Sequence, residues 1–135
     1  MAPSVLRLGS GGRWEDAVGY SRVVRAGSFA WVAGSTAMVD AQIVSEGNAY
    51  GQTIASFEVA LQALARVGME PTDVVRTRMY VIAADLADDV GRAHAELFGK
   101  IRPAATLVVV KALIDPRMLI EVEVDAYRVE TPTDE

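Results

Sequence analysis

Residues 102–126 read RPAATLVVVKALIDPRMLIEVEVDA, and they hold two strands of opposite character. The second alternates strictly. Ile120, Val122, Val124 and Ala126 fall on one face, and Glu121, Glu123, Asp125 and Tyr127 on the other. Side chains along a strand point to opposite faces with period two, so the strand expected over 119–129 has one dry face and one acidic face. The first, expected over 104–112, does not alternate: Leu107 and Val109 share one face, Val108 and Val110 the other. A strand apolar on both sides has something packed on both sides. IDP, at 114–116, lies in the turn between them.

Working outward, DLADDVGRAHAELFG (85–99) has helical spacing through Leu86, Val90, Ala93 and Leu97, with Asp85 as the expected N-cap and Gly99 as the stop. DVVRTRMYVIA (73–83) alternates Val75, Thr77, Met79 and Val81 against Val74, Arg76, Arg78 and Tyr80, which predicts a strand. NAYGQTIASFEVALQALARVG (48–68) repeats Ile54, Phe57, Leu61, Leu64 and Ala65 at helical spacing and ends at Gly68. YSRVVRAGSFAWVAGS (20–35) predicts a hairpin about Ala26-Gly27-Ser28, and MVDAQIV (38–44) a second turn with Asp40 at its tip.

The predicted order is β-β-(β)-α-β-α-β-β. Two helices cannot cover both faces of such a sheet, so both belong on one face. The dry face of 119–129 lies under them. The acidic face is then open, and Arg76 and Arg78 on the neighbouring strand can pair with it. The doubly apolar strand 104–112 asks for cover on that open side too, and a second copy of the chain supplies it.

The whole chain, 1–135, fits one domain, with 1–17 an N-terminal strand and loop and 130–135 a flexible acidic tail. LGSGGRWED (8–16) is expected to be a flexible loop. The net charge of −5 argues against a nucleic-acid partner, because phosphate binding needs a basic face. The absence of cysteine removes thiolate catalysis and thiolate metal sites, and fits a reducing compartment. MAPSVLRLGSGG lacks the pattern of a signal peptide, and no window resembles a membrane span. A cytoplasmic protein is expected.

Motifs for nucleotides, zinc proteases and serine hydrolases are missing from the sequence. His94 lies beside the apolar stripe of its helix, where a packed role is the commoner one and an acid/base in an inter-subunit cleft the alternative. With a single histidine, no transition-metal site is expected. Glu121 and Glu123 share a strand face. Partial burial of either would raise its pKa and suit it to moving protons. Arg102, before Pro103, is expected to be extended, making either a salt bridge or a carboxylate clamp. Gly34 serves a turn, or lets backbone N–H groups approach an anion.

Three blocks together resemble the RidA (YjgF-like) reactive-intermediate deaminase superfamily, over roughly 18–129. VGYSRVV (18–24) resembles its GPYSQAV-like opening, WVAGST (31–36) its SGQ strand end, and 102–126 its PARSxVxVxxLP…xEIEA signature. The resemblance implies an α+β fold, a six-stranded mixed sheet with two helices on one face as in chorismate mutase-like proteins. It also implies a homotrimer built on a central barrel, with small-molecule sites in clefts between subunits. Family members hydrolyse enamines and imines to keto acids and ammonia without metal or cofactor. Glu121 matches the family's water-positioning glutamate, Tyr20 its aromatic hydroxyl and Gly34 its backbone donor. The substrate-clamping arginine falls on Ala105, a frequent cysteine on Leu107, and an asparagine near Gly91. A methyl group cannot replace a bidentate clamp, so either Arg102, Arg22 or another arginine is expected to stand in for it, or the ligand lacks a carboxylate, with His94 a further residue expected at the site. Two readings follow: a RidA-like hydrolase of small enamines or imines with altered substrate preference, or a non-catalytic trimeric ligand-binding protein.

Overall fold

A computed structural model describes residues 4–129. The expected tail, 130–135, lies outside the described residues. In chain order the strands are β1 (Val5–Leu8), β2 (Val23–Ala26), β3 (Phe29–Ser35), the short β4 (Met38–Val39) and β5 (Gln42–Ile43), β6 (Val74–Val81), β7 (Ala104–Val109) and β8 (Ile120–Tyr127). The helices are α1 (Ala49–Arg66) and α2 (Ala87–Phe98). The main sheet has six strands in the order β1-β2-β3-β8-β6-β7. Among the described residues only β6 and β7 pair parallel, joined by the α2 crossover. The last strand of the chain is therefore inserted at the centre, between β3 and β6.

Local chemistry sets the element ends. Asn48 caps α1 by accepting a hydrogen bond from the Gly51 N–H at 2.9 Å. Gly68, at φ 83°, ends it in the left-handed region that glycine enters without strain. Asp40 and Ala41 both have positive φ, 52° and 64°, as a tight β4–β5 hairpin requires. Both helices lie on one face of the sheet. Phe57, Leu64, Val90 and Phe98 pack there against Val23, Val81, Ile120, Val122 and Val124, all buried.

Two local expectations need correction. Asp85 is not the N-cap of α2. It lies in a short 3-10 turn, Ala84–Leu86, and the helix begins at Ala87 with no side-chain cap. Asp88 and Asp89 place their charge in the first turn instead, where the helix dipole favours it. Arg102 is not extended: its φ is 59°. Its N–H donates to the Phe98 carbonyl at 2.8 Å and its Nε to the Gly99 carbonyl at 3.2 Å. Closing the unpaired carbonyls of α2 outweighs the preference of a residue before proline for the extended region.

The face away from the helices carries the alternation expected of β8. Arg78 pairs with Asp125 at 3.1 Å, and Tyr80 donates to Glu123 at 2.6 Å. At one end Phe29 lies 6.0 Å from Trp31 and 4.9 Å from Tyr127, ring centre to ring centre. All three rings remain exposed. Edge strand β7 rests on the core through Leu107, while Val108 and Val109 are exposed.

Candidate active site

The pairing of β3 with β8 slips between Val32 and Ser35, and Gly34 sits in that irregularity. Its φ is not in the left-handed region, so glycine is needed there for space rather than for conformation. The carboxylate of Glu121 occupies the space. A Cβ on Gly34 would come within 2.0 Å of Glu121 Oε2. Glu121 is half-buried, and burial pushes its carboxyl above the ordinary value. The neighbouring charge of Glu123 adds to this, and the cation of Arg22 partly offsets it.

Arg22 binds the group together. Its Nη1 donates to the Gly34 carbonyl at 2.7 Å, and to the Ala33 carbonyl and Ser35 Oγ at 3.3 Å each. Its Nη2 donates to the Tyr20 hydroxyl at 3.3 Å. Behind it lies Glu15, buried, with Oε2 3.6 Å from Arg22 Nε. Ser10 supports Glu15 through its N–H at 2.8 Å and its hydroxyl. Burial alone would raise the Glu15 carboxyl, but the Ser10 hydrogen bonds and the Arg22 charge hold it below the ordinary range. The N-terminal loop is thus tethered at its centre rather than flexible. A Cβ on Gly9 would stand 2.8 Å from Glu15 Oε1, so the loop glycines let the backbone close over this carboxylate. A shallow hollow of about 460 Å³ opens beside these groups, lined in part by Arg7, Glu15 and Tyr20.

The other expected residues lie elsewhere. His94 is half-buried on the helix side of the sheet. Its Nε2 is 2.8 Å from Thr77 Oγ1, and its ring packs against Phe57 and Phe98. Burial lowers its pKa, which favours the neutral ring. Ala105 pairs in register with Thr77 and shares that side with Leu107. The sheet therefore separates His94, Ala105 and Leu107 from Glu121. Arg102 lies exposed at the end of α2, where its Nε is bonded to the Gly99 carbonyl, and Gly91 is an exposed position within α2. Glu15 had no sequence signal beyond an acid in a glycine-rich loop, because its partner Arg22 is fixed by the fold.

Residues 12–128 match the protein family described as Endoribonuclease L-PSP. The chain belongs to this family. The RidA (YjgF-like) resemblance is borne out with it, as is the α+β fold on a six-stranded mixed sheet. Among curated relatives, an uncharacterized protein of Streptomyces coelicolor, SCO2049, is 44% identical over 125 residues, covering 93% of each chain. RutC family protein PH0854 of Pyrococcus horikoshii is 30% identical over 112 residues, 81% of this chain and 86% of its own. Among solved structures, Rv2704 of Mycobacterium tuberculosis, described as a member of the YjgF/YER057c/UK114 family, is 42% identical. It superposes with a TM-score of 0.84 over 93% of this chain and 100% of its own. Among the described residues, no cluster of three or more His, Cys, Asp or Glu is arranged to hold a metal ion. No described helix is long and apolar enough to cross a membrane.

Proposed function

We propose that the protein is a RidA-like hydrolase that converts a small enamine or imine to a carbonyl compound and ammonia. The observation that carries this reading is the carboxylate of Glu121, half-buried and seated directly over the backbone of Gly34. A carboxyl with a raised pKa is a better proton acceptor than an exposed one. Glu121 takes a proton from water as the oxygen attacks the carbon of the protonated imine. It returns that proton to the nitrogen of the resulting carbinolamine, and the hydroxyl proton passes back to Glu121 as the carbonyl forms, the carbon–nitrogen bond breaks and ammonia leaves. Tyr20, held by Arg22, and Gly34 orient the ligand. No metal or cofactor takes part in this scheme.

The assembly in this proposal is the homotrimer that the RidA resemblance implies. Phe29, Trp31 and Tyr127 form an exposed apolar patch on the open face, of the kind that marks an interaction surface. Ala105 and Leu107 lie on the other side of the sheet from Glu121. A cleft that unites them needs a second chain, and so suits a small-molecule site between subunits. Hydrolysis reads the function directly: imines are generated in situ by an amino-acid or amine oxidase, and ammonia and carbonyl release are followed with and without the protein. Release no faster than background across a broad imine panel would overturn this reading.

A second reading, a non-catalytic ligand-binding trimer, is favoured by Ala105 at the position of the family's clamp and by Arg102 folded back onto α2. It expects thermal stabilisation by ligand without turnover. A nucleic-acid substrate is disfavoured by the acidic open face of β8.

A further inference from the structure

The charges around Glu121 say what kind of imine the site takes, an inference that rests on the hydrolase reading above. Arg22 is the cation set against Gly34 and Glu121, and each nitrogen of its guanidinium already has an acceptor. Nε faces Glu15 at 3.6 Å, Nη1 is held by Gly34, Ala33 and Ser35, and Nη2 by Tyr20. Its side chain is only 14% exposed, and Glu15 only 7%. The pair is internally neutral, and apart from the exposed contact with Tyr20 its hydrogen bonds are partly buried. Glu123, next on the same face, is occupied by the Tyr80 hydroxyl, a neutral donor, at 2.6 Å. Arg78 is paired with Asp125, farther along β8, and Arg76 donates to Thr106 on β7 at 3.3 Å. Arg102 is anchored at the end of α2 through its Nε. The protomer's own groups at Gly34 therefore present two carboxylates, Glu121 and Glu123, and a cation that is paired with Glu15, while Arg7 lines the adjoining hollow.

A ligand carboxylate brought to this place meets like charge, which suppresses binding strongly in a partly desolvated site. An iminium cation meets its counter-ion in Glu121. We propose that the site takes imines that bear no carboxylate, the kind formed when a primary amine is oxidised, and that Glu15 sets this preference by neutralising Arg22. The reaction balances as imine plus water to aldehyde or ketone plus ammonia. The class of reaction that supplies the substrate is amine oxidation.

The test compares two substrates that differ only by the carboxylate. Butylamine with an amine oxidase gives the carboxylate-free imine, and norvaline with an amino-acid oxidase gives the corresponding imino acid. The full chain is expected to accelerate hydrolysis of the first over its background by about tenfold or more relative to the second, about 1.4 kcal/mol of discrimination. Equal or greater acceleration of the imino acid overturns the substrate class and leaves the hydrolase reading standing. If neither is accelerated, the hydrolase reading fails, and binding still decides the charge preference. NMR titration with butyramide and butyrate is expected to show the amide binding more tightly, and tighter butyrate binding overturns the proposal. Glu15→Gln frees the charge of Arg22 and is expected to shift the butyrate-to-butyramide affinity ratio about tenfold toward butyrate. A folded Glu15→Gln protein with an unchanged ratio overturns the role of Glu15. The wild-type comparison stands even if that variant does not fold.

Discussion

Gly34→Ala places one methyl group where the Glu121 carboxylate now lies. The added Cβ would be 2.0 Å from Oε2, 3.1 Å from Cδ and 3.5 Å from Cγ. Comfortable contacts between such atoms fall near 3.5–4.0 Å, so Oε2 must retreat by about 1.5 Å. The obstacle is the far end of a flexible side chain rather than backbone, so Glu121 can swing aside. An off-rotamer side chain costs about 0.5–1.5 kcal/mol, and Arg22 keeps its hold on the Gly34 carbonyl, which the substitution does not touch. The expected loss of stability is therefore about 1 kcal/mol, a few degrees in Tm. The expected effect on turnover is much larger. A displacement of ~1 Å at a reacting group costs on the order of 100-fold in rate. Ammonia release from oxidase-generated imines and thermal unfolding of the same preparation measure the two effects. Undiminished turnover in a folded Gly34→Ala protein would refute the placement of Glu121 at the reacting centre. A stability loss above about 4 kcal/mol would refute the simple swing, since losses of that size need a core or backbone defect.

Other perturbations have signs that follow from the same contacts. Glu121→Gln should raise Tm at neutral pH while abolishing turnover. Because the folded state raises this carboxyl above 4.5, the stability it contributes is present below that value and lost as pH rises through the raised one, so the variant's advantage should vanish in acid. Glu15→Ala should cost about 1–3 kcal/mol by leaving the Ser10 N–H and Arg22 without their acceptor, measured by urea unfolding at pH 7. The depressed Glu15 carboxyl contributes stability above its unfolded value that is lost as pH falls through the folded one, so this deficit should shrink in strong acid. His94→Leu should cost about 1 kcal/mol at pH 8 through the lost Thr77 contact. Burial depresses His94 below 6.5, so wild-type stability from the neutral ring falls as pH drops below that value, and the leucine variant should lose less between pH 7 and 5. A wild-type-like decline in the variant would remove His94 from the account.

Much of the architecture is written locally. The alternation of Ile120 to Ala126, the helical spacing of Ile54, Phe57, Leu61 and Leu64, and the glycine at 68 each specify an element from neighbouring residues alone. Together they required both helices to share one face and left an acidic face open. Glu121 and Gly34 were legible as candidate site residues because they fall in the blocks that resemble the family's motifs. Element ends were less legible. Asp85 looked like a cap and Arg102 like a strand start, but each end was settled by which backbone groups found partners, a balance invisible in residue type.

What only the tertiary structure decided is which distant residues meet. β8, last in the chain, inserts between β3 and β6, and that insertion brings Glu121 over Gly34. The N-terminal loop folds back so that Glu15 meets Arg22, which in turn holds the Gly34 carbonyl and the Tyr20 hydroxyl. The same sheet puts His94 and Ala105 on the far side from Glu121. Periodicity and propensity act over a few residues and are read directly from the chain. Charge pairing and close packing act across the fold, between residues whose meeting is fixed only when the strands take their places.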